Sequence, residues 1–408
     1  MVNHDMSSMI DLDALAAIGL GPAMRSQLAC GIANPAARAM RLVAMQREHL
    51  LLHDGCATHR AQAAPALLQD LGDQGESLAV GDWVLAQPGG DAGWWISCRL
   101  LPYSQITRRT VDSRAGDGRR AAQRQVLVSN VDTAVLVMGL DADFNPRRLE
   151  RYLALTRLAG VAAVLVLSKA DTLNAAALSD RLARAQALLP PGMPALALDL
   201  RQPASATALA PWLQAGQTLV LLGSSGAGKS TLANTLVQTL ARLETPEALR
   251  QASGGQSTGP ARAADSRGRH TTTVRTLLPL PGGACIIDTP GLRALRLDIG
   301  EADELAQAFG DVARLAPMCR FRDCRHSAEP GCAVRQAVDA PRLLNFHKLL
   351  GEARRDRAGP LARQSQVSKW KSRSRDAQSA CGPSVGTKHD GGLARADQAY
   401  QPVRAYWT

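Results

Sequence analysis

Gly223-Ser-Ser-Gly-Ala-Gly-Lys-Ser230 directly follows the apolar run Thr218 to Leu222 and precedes a helical pattern from Thr231. A strand that opens into a glycine-rich loop and then a helix forms a phosphate cradle, because successive backbone N–H groups and the positive helix end face anionic oxygens. In that frame Gly223, Ser224, Ser225, Gly226, Ala227, Gly228 and Thr231 build the cradle. Lys229 reaches the β/γ oxygens and the Ser230 hydroxyl holds Mg²⁺. The chain is predicted to bind a nucleoside triphosphate.

Two further segments fit the same chemistry. Asp288-Thr-Pro-Gly291 ends an apolar run, where an aspartate accepts from Mg²⁺-bound water and the Gly291 N–H approaches a γ-phosphate. His270-Thr-Thr-Thr273 lies in the long polar stretch Gln251 to Thr273; Thr272, with Thr271 close behind, is the candidate to complete the Mg²⁺ shell. A serine/threonine-rich loop without metal contact is the plain alternative. Ser168-Lys-Ala-Asp171 follows another hydrophobic run. The Asp171 carboxylate suits the N1–H and 2-amino donors of guanine, a pair that adenine lacks, and the Lys169 stem suits the purine face. Leu292 follows Gly291 and cannot orient water, so slow intrinsic hydrolysis is expected. His270 is a candidate replacement, with an RNA contact or plain solvation as alternatives.

Cys319, Cys324, His326 and Cys332 supply three thiolates and an imidazole in one short segment. Soft ligands of this number suit tetrahedral Zn²⁺ and leave no open catalytic position. Three of the 8 cysteines crowd here, which favours a metal site in a reducing compartment over a disulfide framework. Arg314, Arg320, Arg322 and Arg325 flank the ligands and suit phosphate contacts or a solvated face.

These residues need a scaffold. Hydrophobic residues make up 46% of the 408 and aromatics only 3%, so alanine and leucine must do most of the packing. The net charge of +11 favours an anionic partner such as nucleic acid. No run approaches a membrane span and no export signal is evident, so a cytoplasmic protein is expected. Residues 1–40 read as a flexible extension, and short apolar runs over 41–125 suggest a small barrel. Arg108 to Arg124 reads as a basic loop leaving that barrel. Over 126–300, buried-strand runs alternate with helical patterns, which indicates a mostly parallel sheet covered on both faces. Residues 301–378 carry helices and the cysteine cluster, and 379–408 read as disordered.

The base-reading segment precedes the phosphate loop, an order that resembles the circularly permuted GTPases. Val131-Asp-Thr-Ala134, Leu140-Asp-Ala-Asp-Phe-Asn-Pro-Arg-Arg-Leu-Glu-Arg151, Gly268-Arg-His-Thr-Thr-Thr273 and the cysteine–histidine cluster resemble the RsgA/YjeQ family of ribosome small-subunit-dependent GTPases. The resemblance covers about residues 41 to 350. It implies an N-terminal OB-fold barrel, a central α/β circularly permuted P-loop GTPase domain and a C-terminal helical zinc module. It further implies binding to 16S rRNA on the 30S subunit and GTP hydrolysis to GDP during late maturation of that subunit, by a monomer. Two departures stand out. Ser168 replaces the family's usual Asn or Thr, a shorter tether, and the family's serine-alanine loop is absent near Asp199-Leu200, which predicts weaker guanine selectivity. The alternatives are another phosphate-loop NTPase or kinase, and a zinc-containing RNA-binding protein with an inactive nucleotide site.

Overall fold

The first five strands of the chain close into a barrel. In the computed structural model these are β1 (Arg38–Met45), β2 (Leu50–His53), β3 (Thr58–Ala63), β4 (Trp83–Pro88) and β5 (Trp94–Arg99). Pairing runs β1-β2-β3-β5-β4 and returns to β1 through Arg38↔Ala86 to Arg41↔Trp83, with β3 and β5 parallel. This is the expected OB-like barrel. Met40, Leu42, Leu52, Ala61, Val84, Ala86 and Ile96 fill it, and the helix Pro65–Asp73 adds Leu71.

Two sequence expectations differ from this picture. The segment 11–29, read as part of a flexible extension, forms helices Leu12–Ala16 and Pro22–Ala29. Its Leu15, Ile18, Leu20, Met24 and Leu28 are buried with Ala39 and Trp83, so the apolar face of the barrel exterior holds it. The ends of the basic tract Arg108 to Arg124 are not loop but strand. β6 (Gln105–Val111) and β7 (Ala122–Ser129) form an antiparallel hairpin. Acidic partners neutralise its arginines: Arg124 pairs with Glu76, and Arg109 with Asp298 at 2.8 Å.

The second half of the fold is the site's platform. β8 (Thr133–Gly139), β9 (Ala162–Ser168), β10 (Ala195–Leu198), β11 (Thr218–Leu222), β12 (Thr276–Pro279) and β13 (Cys285–Asp288) lie in the order β10-β9-β8-β11-β13-β12. All but β12 run parallel. Every residue of β8 and β11 is buried, which explains their unbroken apolar runs. One core face holds Val135, Val137, Leu219, Leu221, Leu232 and Leu236. The other holds Leu136, Met138, Leu149, Tyr152 and Val220, and continues into Phe309, Val312, Val334 and Phe346 of the C-terminal helices. β12 also meets β1 at Thr276↔Ala44, so barrel and nucleotide sheet are one hydrogen-bonded surface.

The structure describes residues 11–29, 36–46, 49–90, 93–111, 122–244, 275–289, 297–298 and 302–357. These all lie within the compact unit Met1–Gly359. His270, Thr271, Thr272, Thr273, Gly291 and Leu292, and the tail expected to be disordered, lie outside the described residues. Among the described residues no helix is long and apolar enough to cross a membrane.

Candidate nucleotide site and metal centre

Parallel strands deliver their following loops to one edge of a sheet, and a crevice there is where α/β folds bind ligands. Here that edge collects the segments after Gly139, Ser168, Leu198, Leu222 and Asp288. The order of the loops in the chain is permuted, yet all five share the edge.

The segment Gly223 to Gly228, the candidate phosphate loop, joins β11 to a helix. Gly223 must lack a side chain because a Cβ would fall 2.4 Å from the Val137 carbonyl oxygen on β8. Gly226 and Gly228 take φ of 83° and 99°, which glycine adopts without strain. The helix Lys229–Glu244 follows at once and aims its N-terminus at the loop. Lys229 is buried, donates to the Ser224 carbonyl oxygen at 2.8 Å, and has its pKa lowered by burial against the opposing pull of Asp288 and Asp143. The Ser230 hydroxyl donates to Asp288 Oδ2 at 3.0 Å, so the two candidate Mg²⁺ groups meet. Thr289, next to Asp288, donates to the Leu221 carbonyl oxygen at 2.6 Å and fixes the strand end.

The segment Ser168 to Asp171, the candidate base loop, meets the candidate phosphate loop directly. Ser168 Oγ donates to the Ala227 carbonyl oxygen at 2.6 Å, so the shorter hydroxyl still spans the gap. Lys169 adopts a left-handed backbone, φ 62°, and its ammonium sits 2.6 Å from Asp141 Oδ2. Opposite them, Leu200 is buried, with Cδ1 2.9 Å from where a Gly228 Cβ would stand. Thr235 of the helix donates to the Leu200 carbonyl oxygen at 2.7 Å. The segment lacking serine-alanine therefore still forms a wall against the phosphate loop.

Sequence reasoning missed three side chains here. Asp141 holds Lys169, as above. Asp143 accepts from Ser224 Oγ at 2.6 Å and from Arg148 at 2.6 Å, bracing the phosphate loop. Arg201 pairs with Asp171 at 2.8 Å and with Asp199 at 2.9 Å. The available signal for the first two was position: Asp141-Ala-Asp143 stands just past the end of β8, the strand between β9 and β11.

A family model described as RsgA GTPase matches residues 107–298. A small ribosomal subunit biogenesis GTPase RsgA from Xanthomonas oryzae pv. oryzae strain PXO99A is 45% identical over 323 residues, spanning 78% of this chain and 81% of the relative. The chain belongs to the RsgA GTPase family. A second RsgA, from Xanthomonas euvesicatoria pv. vesicatoria strain 85-10, gives the same identity of 45% and the same coverage of 78% and 81%. Two solved structures share the fold. YjeQ from Thermotoga maritima has a TM-score of 0.53 at 21% identity, covering 78% of this chain and 98% of its own. YloQ, a circularly permuted GTPase, has a TM-score of 0.52 at 19% identity, covering 79% and 96%.

The chain also carries a candidate metal centre. Ligand atoms of Cys319, Cys324, His326 and Cys332 all lie within 4.8 Å of one another. Cys319 Sγ stands 3.9 Å from Cys332 Sγ, and His326 Nδ1 stands 3.6 and 3.5 Å from those two sulfurs. Zn–S bonds of about 2.3 Å and Zn–N bonds of about 2.0 Å at tetrahedral angles require separations of about 3.5–3.8 Å. The donor set and spacing fit one structural Zn²⁺. His326 takes φ 60° to face inward, and Cys332 Sγ caps the helix Ala333–Ala337 by accepting from the Arg335 N–H at 3.4 Å. Arg314, Arg320, Arg322 and Arg325 are all exposed around it.

Proposed function

We propose that this chain is a Mg²⁺-dependent GTPase of the cytoplasm that acts in late maturation of the small ribosomal subunit, with hydrolysis stimulated by that subunit. The observation that supports this reading is the hydrogen bond from Ser168 Oγ to the Ala227 carbonyl oxygen, which joins the candidate base loop to the candidate phosphate loop. Family membership and the names of the Xanthomonas relatives supply the subunit.

In this reading Asp171 accepts from the two guanine donors while the Lys169 stem covers the purine. Gly223 to Thr231 wrap the phosphates and Lys229 leaves the Ser224 carbonyl oxygen to meet β/γ oxygens. Mg²⁺, when bound with nucleotide, neutralises developing charge on the transferred phosphoryl group. Ser230 and Thr272 would hold it, with Asp288 accepting from its bound water, and the Gly291 N–H would approach the γ-phosphate. Leu292 contributes no water-orienting group, so the ribosomal subunit must order the catalytic loop, with His270 the candidate to contact water. The functional modules run 41–125, 126–300 and 301–378. The exposed arginines beside the zinc centre, together with exposed Phe321, form a surface for 16S rRNA phosphates and bases.

Co-sedimentation with purified 30S subunits tests this. A non-hydrolysable GTP analogue is expected to hold the protein on 30S more tightly than GDP does. Equal retention with both nucleotides would remove the nucleotide-controlled role.

A further inference from the structure

Asp171 is not simply presented to solvent. Its Oδ2 lies 2.8 Å from Arg201 Nη2. Arg201 is held on its other side by Asp199, with Nε 2.9 Å from Oδ1 and Nη2 3.1 Å from Oδ2. The guanidinium therefore bridges the two carboxylates.

The loop that carries Arg201 cannot drift far from this place. Leu200 is buried against Gly228, and its carbonyl oxygen accepts from Thr235. The Asp199 carbonyl oxygen accepts from Ser205 Oγ at 2.9 Å, and the Arg201 N–H is turned onto Asp199 Oδ1 at 3.1 Å. Arg201 thus leaves a fixed loop wall and reaches across to the base loop.

We propose that Arg201 is a specificity-determining residue that competes with guanine for Asp171. This rests on the reading of Asp171 as the guanine acceptor. Guanine offers two donors to that carboxylate, and the guanidinium already occupies one of its oxygens. Base entry requires Arg201 Nη2, the atom shared by the two carboxylates, to leave Asp171 Oδ2, while Asp199 Oδ1 keeps its hold on Nε. The displaced arginine stays beside the pocket and recaptures Asp171 when the nucleotide leaves. GTP and GDP present the same base, so Arg201 weakens both by the same factor and leaves their ratio unchanged. Arg201 is 67% exposed and Asp171 37%, so the competition is worth only a small factor and is screened by salt.

Calorimetric titration of the full chain with GDP, GTP and ADP tests this, using Arg201→Ala, Arg201→Gln, Asp171→Asn and the Asp171→Asn/Arg201→Ala pair at low and high salt. Arg201→Ala and Arg201→Gln are expected to bind GDP and GTP about two- to fivefold more tightly, by one common factor. The gain shrinks at high salt and vanishes in the Asp171→Asn background, as a double-mutant cycle requires of a direct pair. Unchanged or weaker guanine binding in Arg201→Ala, or a gain that survives Asp171→Asn, overturns the role of Arg201 while the base reading stands. A GDP affinity indifferent to Asp171→Asn overturns both.

Discussion

At the scale of single residues, the candidate site is braced by side-chain pairs within the protein, Asp141 with Lys169 and Asp143 with Ser224. Lys169 sits in a left-handed backbone conformation that a lysine seldom adopts, and the Asp141 carboxylate 2.6 Å from its ammonium is the contact that fixes the side chain. Asp141→Ala is expected to weaken GDP binding about three- to tenfold without shifting the melting temperature, measured by titration calorimetry beside a thermal melt. A wild-type affinity would mean that the lysine stem finds its place unaided. The residues with fixed local signatures were legible in the sequence, because glycine spacing and a strand-ending aspartate carry their own chemistry. Arg201–Asp171 was not, since those two lie 30 residues apart on different loops and nothing in either loop names the other.

Elements follow the same division. The zinc centre was legible because all four ligands, Cys319 to Cys332, fall in one short segment. Cys324→Ser is expected to lower zinc affinity by more than about a hundredfold, beyond the loss typical of a residue that only supports a ligand, with helical signal lost from the C-terminal helices. Metal analysis and circular dichroism read both effects, and full zinc content in the variant would contradict the assignment. The helices over residues 11–29 were not legible as packed elements, because the partners of Leu15 and Met24 are Ala39 and Trp83 on the barrel. The β6–β7 hairpin was misread for a related reason, as its arginines are neutralised by Glu76 and Asp298 from remote segments.

One turn of the barrel also stores a pH dependence. Asp82 is buried, accepts from the Ala79 N–H at 2.8 Å, and burial pushes its pKa up to about 6. A carboxyl whose folded pKa lies above its unfolded value loses stability as pH rises through the interval between them, here from about 4 to about 6. Asp82→Asn is therefore expected to gain stability relative to wild type as pH rises across that interval, by no more than about 3 kcal/mol. Urea unfolding at pH 5 and pH 7.5 checks it; a difference that does not grow with pH would contradict the burial effect.

Across the whole molecule, the three parts are bolted rather than strung together. β1 pairs with β2 along one edge, while its other edge pairs with β4 through Arg38 to Arg41 and meets β12 of the nucleotide sheet at Ala44. Arg41 is fully buried between them, donating to Ile18, Gly19, Asn130 and Thr218 and lying over Trp83. The zinc-bearing helices are fixed to helix Pro146–Leu158 by buried Glu150, which accepts from Arg342 at 2.7 Å and Asn345 at 2.6 Å. Arg342 also pairs with Asp311 at 2.6 and 3.0 Å. Partners separated by 192 residues leave no trace in local sequence, which is why this joint was not foreseen. Breaking a buried pair strands a charge, so Arg342→Ala is expected to cost about 3 kcal/mol in chemical denaturation. A loss below about 1 kcal/mol would place the joint in the shared apolar core of Phe309 and Phe346 instead.

Phosphate release from GTP and from ATP, with and without purified 30S subunits, bears most directly on the central claim. Slow turnover of GTP alone, strong acceleration by 30S and little ATP hydrolysis in either case are expected. Full-speed GTP hydrolysis without subunits, or a preference for ATP, would contradict it.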